Sequence, residues 1–408
     1  MKTLFKLLPA LLMLTIASCE KYPARLYRSE VFGSGNGRGT PRDSLPGKEP
    51  QPAPDTTVYI VAVQVPESYD WRRDTSYGAV PYDIVLYEDD APLLSFKTGI
   101  SQKVDNAPDT YHLMGGNIYT EYSSSGETVI TRNGTRLFSY KGSEVLVGML
   151  VKGNDVYTLG RDKSGYAFSF RLNGEVLLSG EGAVYGNFGL SSTGALYETD
   201  GRPCFCFRNN ASCYAVRGGI EEAVRTNASP GRIKFMRVFP DGVWYATDYG
   251  TMVVVSSPFR SYTMPVQYTW SSCSLAEYEG RAWFVGTGLK AGKSCTVVCP
   301  VEDAASSQSR IYSGDEGYLY FGDGAVFSVG NPGGTLMVQG NGAEYIYGRD
   351  SSFFFGRSCA AAAGESLYMV VTPKEKDMVP FLWKNGLRKE FGINGYLAGV
   401  EVRVSPAN

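Results

Sequence analysis

From Val58 to the C-terminus the chain repeats one phrase: an aliphatic residue, an aromatic or polar neighbour, a short apolar stretch, a tight turn rich in Asn and Gly, and another strand-like stretch. The starts fall at Val58, Ile118, Val156, Leu196, Val243, Ala282, Val326 and Leu367. A unit of roughly 40 residues, too small to bury a core alone, gains one by stacking on its neighbours, and all-β repeats of this length do so as the blades of a β-propeller. Eight starts predict an all-β fold of eight four-stranded blades; seven is the count if residues 317–337 form one irregular unit.

Unit three shows the order of strands most plainly. Residues 145–151 read as strand A, 156–159 as B, 166–172 as C and 175–178 as D, with Asn173-Gly174 joining C to D. Both residues of an Asn-Gly pair tolerate positive φ, which a two-residue hairpin requires. Asn133-Gly134, Asn209-Asn210 and Asn385-Gly386 hold the same C–D place by this reading. The first unit begins at B, and residues 398–404 form a spare strand after the last D. That strand is placed to supply the missing A and close the ring, removing an open sheet edge. The aromatics that open the B strands (Tyr59, Tyr119, Tyr157, Tyr197, Trp244, Trp283, Phe327 and Tyr368) read as blade-to-blade packing. High glycine (48 residues) and the lack of helical periodicity agree with an all-β body; only residues 219–224 suggest a helical turn.

Ahead of this body, Lys2 and Lys6 precede an apolar run at residues 7–16, too short for a stable membrane span and typical of a secretory signal. Its end, Ile16-Ala17-Ser18-Cys19, resembles a bacterial lipobox. The resemblance implies cleavage before Cys19 and a diacylglyceryl thioether that holds the protein at a membrane. Glu20, in place of the aspartate of inner-membrane retention, favours the outer membrane, facing either the periplasm or the cell surface. The expected organisation is a signal peptide at 1–18, a lipidated Cys19 with a Gly/Pro-rich tether to residue 57, and a propeller over 58–408. Asp43-Ser44-Leu45 and Asp55-Thr56-Thr57 resemble the O-glycosylation sequon of Bacteroidetes envelope proteins.

Charge and cysteine content narrow the function. Thirty-nine basic and 41 acidic residues lack the basic excess of a nucleic-acid binder. Cys206 and Cys213 flank the Asn209-Asn210 turn, where they would pair directly across a two-residue loop or remain as two buried thiols. Cysteine spacing and the single histidine, His112, support no metal site, and no cofactor motif is present. His112 falls on an A strand beside Tyr111, Leu113 and Met114, as a structural residue would.

In a propeller the B–C and D–A connections share one face. The long segments 66–77, 99–109, 218–232, 287–293 and 372–377 all read as belonging to it. Tyr69, Trp71 and Tyr77 would make a stacking platform there, flanked by Arg72 and Arg73 as hydrogen-bonding forks; the alternative is that Trp71 packs down to hold its own loop. Asp70, Asp74, Glu88, Asp89 and Asp90 are the carboxylates open to a glycosidase-like reaction. With its lipobox, its tether and motifs such as Trp383-Lys384-Asn385-Gly386, the chain resembles the lipid-anchored propellers of Bacteroidetes-type outer membranes, a family with little defined activity. The expectation is a binding or scaffolding lipoprotein recognising glycan or an envelope protein through its loop-rich face. Its rivals are a carboxylate-dependent carbohydrate-active enzyme on that face and a purely structural envelope component.

Overall fold

The structure, a computed structural model, describes residues 56–71, 82–98 and 111–405, less 143, 163, 187–194, 251, 266–267, 305–309, 314–317, 323–324, 331–334, 341–342, 350–352, 355–356 and 376–377. Eight antiparallel sheets make an eight-bladed β-propeller, each with strands in the order A-B-C-D. Blade 1 takes B, C and D from Thr56–Gln64, Tyr82–Glu88 and Ala91–Thr98, and its A strand from the far end of the chain, Gly395–Val404. Tyr59 lies opposite Glu401 and Val63 opposite Tyr396, so the C-terminal strand closes the ring as the register at the chain ends implied. Residues 317–337 are no irregular unit: blade 7 has the four strands Tyr318–Gly322, Ala325–Gly330, Thr335–Gly340 and Ala343–Arg349.

Each neighbouring pair of blades shares one apolar cluster. The B-strand aromatics Tyr119, Trp244, Trp283, Phe327 and Tyr368 are buried in the clusters facing the following blade, and Tyr59 and Tyr157 pack against theirs. Each such side chain supplies on the order of 2 kcal/mol of burial, and the same strand position supplies it in every blade but the fourth. The outer D strands of blades 1, 2, 3 and 7 carry a register break against C. Bulges of this kind bend a free edge away from pairing with another chain.

The C–D turns explain the recurring asparagine. Asp89, Asn133, Asn173 and Asn385 open these turns in blades 1, 2, 3 and 8, with φ of 56°, 51°, 50° and 46°. Each Oδ1 accepts the backbone N–H of the residue that starts strand B (Val58, Ile118, Val156 and Leu367), at 3.0, 2.9, 2.9 and 3.0 Å. One side chain thus locks a three-strand corner. In blades 2, 3 and 8 a glycine follows (blade 1 has Asp90), and it is required for two reasons. It has positive φ, and a Cβ would overlap Phe96 at Gly134 and press on Phe138 at Gly174, both on the D strand of the preceding blade. Asn173→Ala places a Cβ in the left-handed region and leaves the Val156 N–H without its acceptor. It is expected to cost about 2 kcal/mol, read by urea unfolding, with Asn173→Asp milder because the acceptor survives.

Blade 4 departs from the expected phase. Residues Tyr197–Thr199 belong to strand A, which is split with Ala183–Val184; B, C and D are Arg202–Arg208, Cys213–Arg217 and Ile220–Val224. Residues 220–224 are therefore a strand, not a helical turn, and Asn209-Asn210 joins B to C. Gly218 N–H donates to the Pro203 carbonyl at 2.8 Å, as Asn133 does to Ile118, so Pro203 holds the place of Ile118. Proline has no N–H to offer an asparagine oxygen, and Gly218-Gly219 replaces Asn-Gly. The aromatic place in strand B is taken by Cys204, with Tyr197 opposite it on strand A filling the space.

Candidate functional site

Loop length is distributed unevenly between the two faces. C–D turns of two residues close blades 1 to 4 and 8, with 257–260 and 301–309 as the longer C–D connections of blades 5 and 6, while the chain between Gln64 and Tyr82 joins B to C, that between Thr98 and Tyr111 joins D to A, and that between Val224 and Ile233 joins D to A. Residues 287–293 are not a loop. Strands Arg281–Lys290 and Lys293–Pro300 of blade 6 run through them as a long hairpin turning at Ala291-Gly292. The strand Ile220–Val224 likewise shortens the blade 4–5 connection.

Trp71 is no platform. It is 2% exposed, packed among Val63, Ile84, Leu86 and Tyr111, with its ring 5.7 Å from that of Tyr396. Tyr69 packs against the same cluster. The Asn394 side-chain amide donates to the carbonyls of Pro66 (2.7 Å) and Tyr69 (3.3 Å), and the Val65 N–H donates to the Asn394 carbonyl (2.9 Å). A large apolar ring beside a closing strand is worth more buried than displayed, so Trp71 plugs its own loop. Arg72, Arg73, Asp74 and Tyr77 lie outside the described residues, as do Cys19 and the whole N-terminal segment before Thr56. Of the acidic run 88–90, Asp89 is the turn clamp and Asp90 pairs with Lys389 of blade 8 at 2.6 Å. Both sit on the tight-turn face.

A carboxylate pair that the chain order conceals lies between blades 2 and 3. The Arg171 guanidinium forks onto Glu144 at 2.6 and 2.7 Å and lies 4.0 Å above the Tyr140 ring, while the Ser169 hydroxyl donates to Glu144 at 3.2 Å. Gly160 leaves room for this pair, since a Cβ there would overlap the carboxylate. Glu121 stands nearby, accepting from the Leu146 N–H. Burial, and secondarily the Glu144 charge, push its carboxyl up to about 7. A carboxylate held by both oxygens in an arginine fork is not free to act as nucleophile or base, so this cluster joins two blades. Folding takes up a proton on Glu121 between the ordinary carboxylate range and pH 7. The contribution of Glu121 to stability is therefore fully present below about pH 4.5 and is lost as pH rises through 7. Glu121→Gln is expected to add on the order of 2 kcal/mol at pH 8 and almost nothing at pH 4.5, measured by denaturant unfolding at both.

Cys206 and Cys213 do not face each other. Cys206 lies opposite Ala215 and Cys213 opposite Arg208, because the turn between them has four residues, with the Asn209 oxygen accepting from the N–H groups of Ala211 and Ser212. The two thiols instead contact the Tyr197 and Tyr185 hydroxyls at 3.6 and 3.9 Å. All seven cysteines beyond Cys19 are buried, and none is in a disulfide among the described residues. Burial pushes Cys206 and Cys273 up to about 12 and Cys204 to about 11, which suppresses the nucleophilic thiolate. Titration with a thiol reagent is expected to find them silent in the folded protein and all reactive in denaturant. His112 lies on the A strand of blade 2 opposite Tyr119. Among the described residues no three His, Cys, Asp or Glu side chains gather in a way that would hold a metal ion.

Blades 4 to 6 bring one further group together on the loop-rich face. Arg208, at the end of strand B, donates to the Pro230 carbonyl at 2.8 Å, tying it to the 225–232 connection that carries Arg225 and Arg232. The Arg232 guanidinium lies 5.8 Å from the ring of Tyr249, in the next B–C turn. Lys234 pairs with Asp248 at 3.4 Å. At the tip of the blade 6 hairpin Lys290 and Lys293 lie opposite each other, and the Lys290 ammonium is 5.5 Å from the Tyr268 ring. Sequence reasoning missed this group because its members are spread over some 85 positions of chain, roughly two repeats, with no local run of charge.

Neither a family model nor a curated protein matches the chain. Among solved structures, apo AztD from Citrobacter koseri is similar at 10% identity and a TM-score of 0.46, over 86% of this chain and 100% of that one. Dihydro-heme d1 dehydrogenase NirN, in complex with DHE, is similar at 9% identity and a TM-score of 0.47, over 84% and 74%. Hsv2 of Kluyveromyces lactis follows at 11% and 0.38, over 76% and 92%. At this distance none of them bears on what this chain binds or converts.

Proposed function

We propose that this protein is a lipid-anchored, non-catalytic recognition or scaffolding component of the outer membrane, bound there through Cys19 and engaging glycan or an envelope protein through the B–C and D–A face. The observation that carries the reading is the division of labour between the faces. The C–D face is closed in blades 1 to 4 and 8 by two-residue turns, four of them clamped by a side chain, and its longest connection is 301–309 in blade 6, whereas the two longest connections of the ring, between Gln64 and Tyr82 and between Thr98 and Tyr111, join B to C and D to A. Rigid scaffolds concentrate binding residues on such connections. Of the carboxylates offered for catalysis, Asp89 clamps its turn and Asp90 pairs with Lys389, both on the tight-turn face, while Asp74 lies outside the described residues; the placement of Asp89 and Asp90 favours binding without turnover.

Two measurements test it. Metabolic labelling with palmitate should mark the wild type and not Cys19→Ser; equal labelling of both removes the anchor. The released Cys19→Ser protein, applied to arrayed glycans and envelope polysaccharides with product analysis on each hit, should bind saturably without new products. Product formation would replace the reading with the enzymatic one.

A further inference from the structure

Within the recognition role proposed above, and resting on it, we infer that the ligand is an acidic polysaccharide and that it lies across the rim of blades 4 to 6. The chain as a whole carries a net charge of −2, yet this rim gathers Arg208, Arg225, Arg232, Lys234, Lys290 and Lys293. Only Lys234 is in an ion pair there, with Asp248; the other five have no carboxylate partner among the described residues. Elsewhere on the ring many exposed cations are matched, as Arg136 is with Glu127, Lys152 with Glu198, Arg281 with Asp303 and Lys389 with Asp90. Of the acids on the neighbouring strands, Asp248 is already paired, and Glu181, Glu221 and Glu222 lie on the outer strands of blades 3 and 4 with no ion pair to these cations among the described residues. Uncompensated cations repel one another, so a cluster of them is best satisfied by a polyanion.

Aromatic and apolar surface interleaves with the charge and favours a sugar over a bare anion. Tyr249, Met252 and Leu289 are 40, 39 and 45% exposed on the same B–C tips. A guanidinium beside an exposed tyrosine face suits a ring that carries a carboxylate or sulfate. The C–H face of the sugar packs on Tyr249 while its acid group takes the fork of Arg232. Packed sheets stand about 10 Å apart, so three blades span on the order of 20 Å. That distance calls for several linked residues of a polymer.

The test uses the acylated full-length protein in detergent with polygalacturonate as probe, neutral dextran as control and a polynucleotide as a non-sugar polyanion. Affinity electrophoresis should show binding to polygalacturonate that weakens about tenfold between roughly 50 and 300 mM NaCl, and no binding to dextran. Arg225→Gln combined with Arg232→Gln should lose about tenfold in affinity, and Tyr249→Ala a comparable amount, with unfolding midpoints unchanged because all three side chains are exposed. Undiminished binding by the arginine variant would overturn the inference. So would equal affinity for the polynucleotide with Tyr249→Ala indistinguishable from wild type. Binding of neutral glycans alone would overturn this inference while leaving the recognition role standing; silence towards every glycan, together with a cross-linked protein partner, would overturn the glycan assignment and leave scaffolding.

Discussion

Trp71→Ala is expected to destabilise the propeller by about 3–5 kcal/mol, the range for truncating a fully buried tryptophan. The cost has a local cause. Trp71 fills the space between the first B–C connection and the closing strand, against Tyr396 of strand A and Tyr111 of the next blade. Its loss opens a cavity at the seam where the two chain ends meet, and the Asn394 bonds to Pro66 and Tyr69 lose the packing that orients them. Urea unfolding should show a lower midpoint, and hydrogen exchange should show the closing strand, Gly395–Val404, losing protection before other A strands. Trp71→Phe should recover part of the loss. A Trp71→Ala protein with wild-type stability would instead return this residue to the surface role that its neighbours Tyr69 and Tyr77 suggested.

Glu144→Ala should be as damaging, at about 3–5 kcal/mol, because it leaves the Arg171 guanidinium enclosed without its carboxylate. Arg171 is 6% exposed at the side chain and held by both Glu144 oxygens, so water cannot easily replace the lost partner. Arg171→Met with Glu144→Leu should be far less harmful than either removal alone, since an apolar pair of similar volume leaves no stranded charge. Thermal unfolding of the three variants distinguishes this from a simple packing loss, in which the double variant would be the worst. Glu121 responds too: without Glu144 nearby, the carboxylate repulsion that helps raise it disappears, and the loss of stability between pH 4.5 and 8 should become shallower.

Most of the ring was legible in the chain because a propeller repeats one local solution. Val156-Tyr157 at the start of a B strand and Asn173-Gly174 at the end of the same hairpin are near neighbours in sequence, and each is demanded by local geometry. The same logic failed in blade 4 for a reason present in the sequence. Pro203 removes the N–H that the turn asparagine exists to bind, so Gly218-Gly219 makes the C–D turn and the only Asn pair of the unit, Asn209-Asn210, lies in the B–C turn instead. Of the two alternatives for Cys206 and Cys213 the structure shows the buried thiols; pairing was open only because a two-residue C–D turn would have placed them face to face, where a four-residue B–C turn does not.

The candidate site was far less legible. Tyr69, Trp71, Arg72, Arg73 and Tyr77 formed a plausible group by adjacency, yet adjacency within a loop does not say which side chain turns inward. That choice depended on Tyr396, more than 300 residues away. Arg171 and Glu144 likewise meet only because blade 3 packs against the connection that enters it from blade 2, and Arg208, Arg232 and Lys290 share a rim only because blades 4, 5 and 6 stand side by side. The number of blades, the closing strand and the clamped turns belong to the sequence by itself, since period-two alternation and turn chemistry act over a few residues. Which loop residues are core, which charges are paired and which remain for a partner were decided by the tertiary structure, because burial and Coulomb interactions depend on distance in space and the ring brings distant residues within reach.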